Sequence, residues 1–184
     1  MADIFTKKKR SEVMSRIRST GNKNTELALA AMFRAEGITG WRRQQKLRVE
    51  ELKVARKRGG VKRTKDTPPA FLRVRVDFVF RAARVAVFVD GCFWHGCPRH
   101  YRAPGSARAF WRNKVETNRA RDLRVSRGLR AAGWTVLRVW ECALSLSRAG
   151  RTLARIARAL DGRGRHACRA AFAPQVPSAL HHRL

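Results

Sequence analysis

Leu72-Arg73-Val74-Arg75-Val76-Asp77-Phe78-Val79-Phe80, then Arg81-Ala82-Ala83, then Arg84-Val85-Ala86-Val87-Phe88-Val89: the reading of this stretch decides the fold. The first run alternates, which predicts a strand with Val74, Val76, Phe78 and Phe80 on one face. The second is almost unbroken in apolar residues, the pattern of a buried strand. Arg81-Ala82-Ala83 makes the turn, so the two runs read as a hairpin. Asp77 interrupts the apolar pattern. A carboxylate inside such a strand must be paired, protonated or bound to a cation.

Downstream of the hairpin, Cys92 to Pro104 reads as an irregular loop, and Arg108 to Ala132 as a long basic amphipathic helix ended by Gly133. Thr135 to Trp140 reads as a third strand and Arg151 to Leu160 as a last helix. Upstream, a strand starts within Trp41 to Leu47. A helix runs from about Asn24 to Glu36, apolar at Leu27, Ala28, Ala31, Met32 and Ala35, and Gly37 stops it. Ser11 can cap a short helix over Glu12 to Ile17, with Met14 and Ile17 on one face. Strands mixed with flanking helices predict a single α/β domain, a central mixed sheet flanked by helices, over 24–162. A flexible basic arm (1–23) precedes it and a tail of little pattern (163–184) follows. Residues 50–72 break the pattern with the basic run from Lys53 to Lys65 and are too long for an ordinary connection. They read as a surface insertion, either merely solvated or an arm that contacts DNA.

The chain has 184 residues, which suits one domain. Its 42 Lys plus Arg against 13 Asp plus Glu give a net charge of +29, which favours polyanionic partners and nucleic acid first. Arginine outnumbers lysine and fills the helices, so biased composition accounts for part of that excess. No apolar run reaches the roughly 18 residues of a membrane span, and no leader pattern is present. The expectation is a cytoplasmic, monomeric protein without a membrane partner.

The densest chemistry lies in Val89-Asp90-Gly91-Cys92-Phe93-Trp94-His95-Gly96-Cys97-Pro98-Arg99-His100. Cys and His clustered this closely in a cytosolic chain point to structural Zn²⁺ before disulfide. Cys92, Cys97 and His100 supply three ligands, and Cys142 closes the set if the strands ending at Val89 and Trp140 are neighbours. The bland alternative is a set of buried small hydrophobes; for the fourth cysteine, Cys168, that alternative is preferred. Asp77 and Asp90, on adjacent hairpin strands, can converge on a hard cation such as Mg²⁺, with the Val89 carbonyl as a further oxygen. A salt bridge to one of the many arginines is the competing reading. His95 is either a zinc ligand or a general base near neutral pH, and spacing does not choose between His95 and His100 as ligand. Phe93-Trp94 and Phe110-Trp111 offer aromatic wedges against a base stack. Phe110 is read as ordinary packing, and Trp94 and Trp111 stay open between the two roles.

These residues carry a resemblance. Val76 to Phe80, Val87 to Pro98, Phe110-Trp111, Asn118 to Asp122 and Gly133 to Cys142, with Arg10 to Ile17 at the N-terminus, are similar to the very-short-patch repair DNA endonucleases. The Gly-Cys-Phe-Trp-His run, Gly91 to His95, is the most specific part. The resemblance implies a restriction-endonuclease-like fold and Mg²⁺-dependent nicking of double-stranded DNA 5′ to the T of T:G mispairs left by deamination of 5-methylcytosine. It implies a functional link to a cytosine-5 DNA methyltransferase. By position it makes Asp77 the metal-binding aspartate, His95 the catalytic histidine, and Cys92, Cys97, His100 and Cys142 the zinc ligands. Phe93, Trp94 and Trp111 fall on intercalating positions, Met14 on a DNA-contacting one, and Glu26 and Asp122 on acids near the site. The chain departs from the family at two places. Arg75-Val76 stand where the family usually has Gly-Arg-Pro before the aspartate, and some members have histidine where Asp90 stands. The competing readings are a sequence-specific nuclease of the same fold with no need of a mismatch, and a zinc-stabilised DNA-binding protein without catalysis.

Overall fold

The computed structural model describes Lys9, Glu12 and residues 21–50 and 71–162. Met14 and the short N-terminal helix, the body of the basic insertion, Cys168 and the C-terminal tail lie outside the described residues. Four strands form one mixed sheet in the order β1 (Trp41–Glu50), β2 (Phe71–Phe80), β3 (Val85–Asp90) and β4 (Thr135–Trp140). The β1–β2 and β2–β3 pairs are antiparallel, and β3–β4 is parallel. A parallel pair needs a crossover, which is supplied by α2 (Arg108–Ala131). Helix α1 (Ala28–Ala35) and helix α3 (Leu146–Asp161) complete the fold. This is the expected α/β architecture, a mixed sheet between helices. Among the described residues no helix is long and apolar enough to cross a membrane.

Two apolar clusters hold the layers together. Leu29 and Phe33 of α1 and Ile156 of α3 pack with Phe78, Phe80, Val85, Val87 and Val139. Val125 and Leu129 of α2 pack with Val79, Ala86, Phe88 and Val136. Strand β3 therefore alternates between two buried faces, which is why its sequence reads as a continuous apolar run.

Strand β2 departs from the sequence reading. Val74 and Val76 pack in the same cluster as Val79, on the α2 side, while Phe78 and Phe80 pack on the other. The alternation slips at Asp77. Opposite it in β1, Gln44 has a left-handed backbone (φ 54°), and this facing pair is missing from a register that holds Arg43↔Phe78 and Gln45↔Val76 on either side. The turned backbone lets the outer half of the β1–β2 ribbon show its other face to α2.

The β2–β3 ladder is short, with only Phe78 to Phe80 paired with Val85 to Val87. Beyond it β2 stays with β1, and β3 runs on with β4 as far as Asp90↔Trp140. The sheet splits there, and the split creates the cleft described below. Two helices also differ from expectation. The first opens with a π turn, Lys23–Leu27, which carries Glu26 inward. The last begins at Leu146 rather than Arg151. Leu146 is 99% exposed, so the first turn shows no apolar face for periodicity to detect.

Candidate active site and metal centre

Asp77 sits at the split. Its Oδ2 accepts from the Val89 N–H at 2.8 Å, taking the place of a ladder carbonyl. Its Oδ1 accepts from the Gln44 amide at 3.2 Å. The same amide nitrogen donates to Glu26 Oε1 at 2.5 Å, and Glu26, buried to 4% exposure, also accepts from Arg43 and the Gly21 N–H. Burial pushes the Asp77 carboxyl up to about 6, with smaller help from the negative charges of Glu26 and Asp90 and opposition from the Val89 and Gln44 hydrogen bonds.

His95 comes from the loop after β3, and α2 holds that loop. Asn118 donates to the Trp94 carbonyl at 2.8 Å, and Arg119 donates to the carbonyls of His95, at 3.2 Å, and Gly96. Asp122, one turn further along the same helix, has Oδ2 2.5 Å from His95 Nδ1. Burial opposes ionisation of Asp122, but the His95 hydrogen bond and the charges of Arg138, His95 and Arg121 outweigh it and bring its pKa below the ordinary value. An ionised Asp122 can only accept, so Nδ1 carries the proton and Nε2 is left with its lone pair when the ring is neutral.

Asp90 shares the cleft with Asp77 and is bonded to an arginine. Both its oxygens accept from Arg138, at 2.7 Å from Nε and in a shorter contact from Nη2. The arginine salt bridge, the competing reading for the two acids, is thus the contact Asp90 makes, whereas Asp77 is bonded by the Val89 N–H and the Gln44 amide. Arg138 and Gln44 were not singled out from sequence. Arg138 gave the same signal as Asp77, a charged residue between the apolar Leu137 and Val139 of a strand. Gln44 gave none. Asp77, Asp90, His95, Asp122, Gln44 and Arg138 line one cleft, rimmed by Arg73, Arg75, Arg121 and Arg124.

A second cluster draws on the same loop. Cys92, Cys97, His100 and Cys142 bring their ligand atoms within 4.8 Å of one another. The fold explains why. The parallel register pairs Asp90 with Trp140, so Cys92 and Cys142 each follow two residues after paired neighbours. Glu141 accepts from the Cys92 N–H at 3.1 Å and secures that exit. Burial opposes a thiolate at Cys97, but the Arg99 N–H, the His100 ring and the His100 N–H bring its thiol down to about 6. His95 is absent from this cluster and belongs to the cleft, grouped with Asp90 and Asp122.

The aromatics gather beside the loop. Ring centroids lie 5.3 Å apart for Phe93–Trp94, 5.1 Å for Phe93–Trp111 and 6.1 Å for Trp94–Trp111. Trp111 is 6% exposed and Phe110 60%. The sequence reading had favoured packing for Phe110. One step along a helix turns a side chain by about 100°, so when Trp111 faces the cluster Phe110 faces outward.

Comparison with known proteins bears on these residues. Residues 63–100 match the family described as DNA mismatch endonuclease Vsr. The DNA mismatch endonuclease Vsr of Escherichia coli K12 is 32% identical over 145 residues, which cover 78% of this chain and 76% of that protein. The type II nicking enzyme V.NmeAIP of Neisseria meningitidis is 32% identical over 146 residues, covering 78% of this chain and 85% of that one. The type II nicking enzyme V.NaeI of Lentzea aerocolonigenes is 51% identical over 70 residues, a match that spans only 42% of its length. With two relatives matched over three quarters or more of their length, the chain belongs to the Vsr family of DNA mismatch endonucleases, whose fold is restriction-endonuclease-like.

Proposed function

We propose that this chain is a DNA endonuclease that nicks one strand of a duplex 5′ to the T of a T:G mispair. The observation that carries the hydrolytic part is the cleft at the sheet split, where a desolvated carboxylate, Asp77, and an imidazole oriented by Asp122 line one arginine-rimmed space. His95 Nε2 is the atom we assign to take the proton of the attacking water, and Asp122 stabilises the imidazolium that results. Asp77 and the Val89 carbonyl are the oxygens we assign to Mg²⁺. When bound there, Mg²⁺ would polarise the scissile phosphate and lower the pKa of the attacking water. The arginine rim suits the flanking phosphates. Phe93 and Trp94, half-buried on the loop and backed by Trp111, are assigned to the base stack, which yields most easily at a mispair. The link to a cytosine-5 methyltransferase belongs to the same proposal.

For the second cluster we propose structural Zn²⁺. A tetrahedral zinc with sulfur bonds of about 2.3 Å and nitrogen bonds of about 2.0 Å spaces two sulfurs about 3.8 Å apart, and sulfur and nitrogen about 3.5 Å apart. Cys97 and Cys142 have their sulfurs 3.8 Å apart, and Cys97 Sγ lies 3.7 Å from His100 Nδ1. A disulfide, at about 2.05 Å, is a poor description of the same pair.

The test is nicking of matched T:G, T:A and C:G duplexes with Mg²⁺. The T:G duplex should be cut, and Asp77→Ala should abolish cutting while DNA binding survives. Equal cutting of all three duplexes would favour a sequence-directed nicking enzyme, a reading to which the relatives named type II nicking enzymes lend weight. Elemental analysis should find one zinc per chain, lost in Cys142→Ser.

A further inference from the structure

We propose that Arg138 is a positioning residue for the His95–Asp122 pair, and that Asp90 serves as its anchor and not as a cation ligand. This inference rests on the nuclease reading above.

Arg138 projects from β4, where it is paired with Phe88 of β3, and its guanidinium lies over the Phe88 ring, 5.0 Å from the centroid. That ring and the two-point bond to Asp90 fix the guanidinium plane. The same Nη2 reaches Asp122 Oδ1 at 3.0 Å. The opposite oxygen of Asp122 holds His95 Nδ1. A continuous chain thus runs from Asp90 through Arg138 and Asp122 to the imidazole.

Charge makes the arrangement necessary. Asp90, His95 and Asp122 bring ligand atoms within 4.8 Å of one another, a grouping that attracts a cation. Arg138 supplies that cation from the chain itself. Without it, two largely buried carboxylates would face each other across the imidazole, and Asp122 would have less reason to hold one rotamer. An Asp90 already held by two charge-assisted hydrogen bonds has its charge balanced by Arg138, and an external cation on it would meet the repulsion of the guanidinium. The chain therefore joins an acid at position 90 to an arginine at position 138 as one unit.

The experiment compares Arg138→Lys, Arg138→Leu, Asp90→Asn and the double variant Asp90→Asn/Arg138→Leu in the full chain. In single-turnover nicking, Arg138→Leu should be about 10- to 100-fold slower at unchanged DNA affinity. Arg138→Lys should recover part of the rate. The double variant should be faster than Arg138→Leu, because the stranded charge of Asp90 is gone. Two readouts do not depend on cleavage. In calorimetry, Asp90→Asn should bind Mg²⁺ as the unmodified chain does, whereas Asp77→Asn should not bind it. In proton NMR, the His95 Nδ1 proton shared with Asp122 should give a downfield signal that persists in Arg138→Lys and disappears in Arg138→Leu. A loss of Mg²⁺ affinity in Asp90→Asn as large as that in Asp77→Asn would overturn the anchor role. An Arg138→Leu variant with unchanged rate and unchanged signal would overturn the positioning role. If the unmodified chain cuts no duplex, the nuclease reading fails, and the NMR and Mg²⁺ results still decide the roles of Arg138 and Asp90.

Discussion

At Asp77, burial governs both chemistry and stability. Its folded pKa of about 6 lies above its ordinary 3.8, so the folded chain holds this proton more tightly than the unfolded chain does. The corresponding stability is fully present below about pH 4 and is lost as pH rises through 6. Asp77→Asn should therefore stabilise the Mg²⁺-free protein at pH 7.5 by up to about 3 kcal/mol, measured by urea unfolding, and the gain should vanish near pH 4. Nicking should be absent in that variant, and in the unmodified chain, where Mg²⁺ and the proton compete for Asp77, the Mg²⁺ concentration needed for nicking should rise as pH falls. The position was legible because an acid inside an apolar strand violates a simple rule. Arg138 violates the same rule in β4, but an arginine among so many drew no notice. Gln44 broke no rule at all, since a φ of 54° leaves no mark in sequence when the residue is not glycine.

One small residue lets helix α2 and the loop it supports pack closely. Gly96 has φ 66°, and a Cβ placed on it would lie 2.5 Å from Val115 Cγ1 and 2.8 Å from Arg119 Nη2. Gly96→Ala should cost on the order of 2–4 kcal/mol by denaturant unfolding. It should also slow nicking, because His95 is the adjacent residue and Arg119 holds its carbonyl. Wild-type stability in this variant would show that the loop can move off the helix freely. Elements of this kind were legible where both faces are buried, as in β3, or where a long helical run stops at a glycine, as α2 does before Gly133. The slip in β2 was not legible, because alternation in sequence reports two faces without saying where a twisted ribbon exchanges them. The start of α3 was missed for the opposite reason, since the one large apolar residue of its first turn, Leu146, is exposed.

For the molecule as a whole, charge sets the behaviour toward DNA. A net +29 and an arginine-rimmed cleft imply extensive counterion release on binding. If 6–10 phosphates are contacted, duplex affinity should drop by roughly 10³–10⁵ between 50 and 200 mM salt. Fluorescence anisotropy would measure this, and a flat salt dependence would rule out backbone contacts as the main source of affinity. The Cys/His cluster was readable at this scale because a condition stated from sequence, adjacency of the strands ending at Val89 and Trp140, is met by the parallel pairing of β3 with β4. The split of the sheet was not readable, since it depends on where a ladder ends and not on which residues form it. That split leaves the Val89 amide proton held by a side-chain carboxylate in place of a main-chain carbonyl. One backbone proton is therefore bonded to the atom group assigned to take up the ion, which makes it a native label, present without any engineered probe, for whether that carboxylate is empty, protonated or occupied.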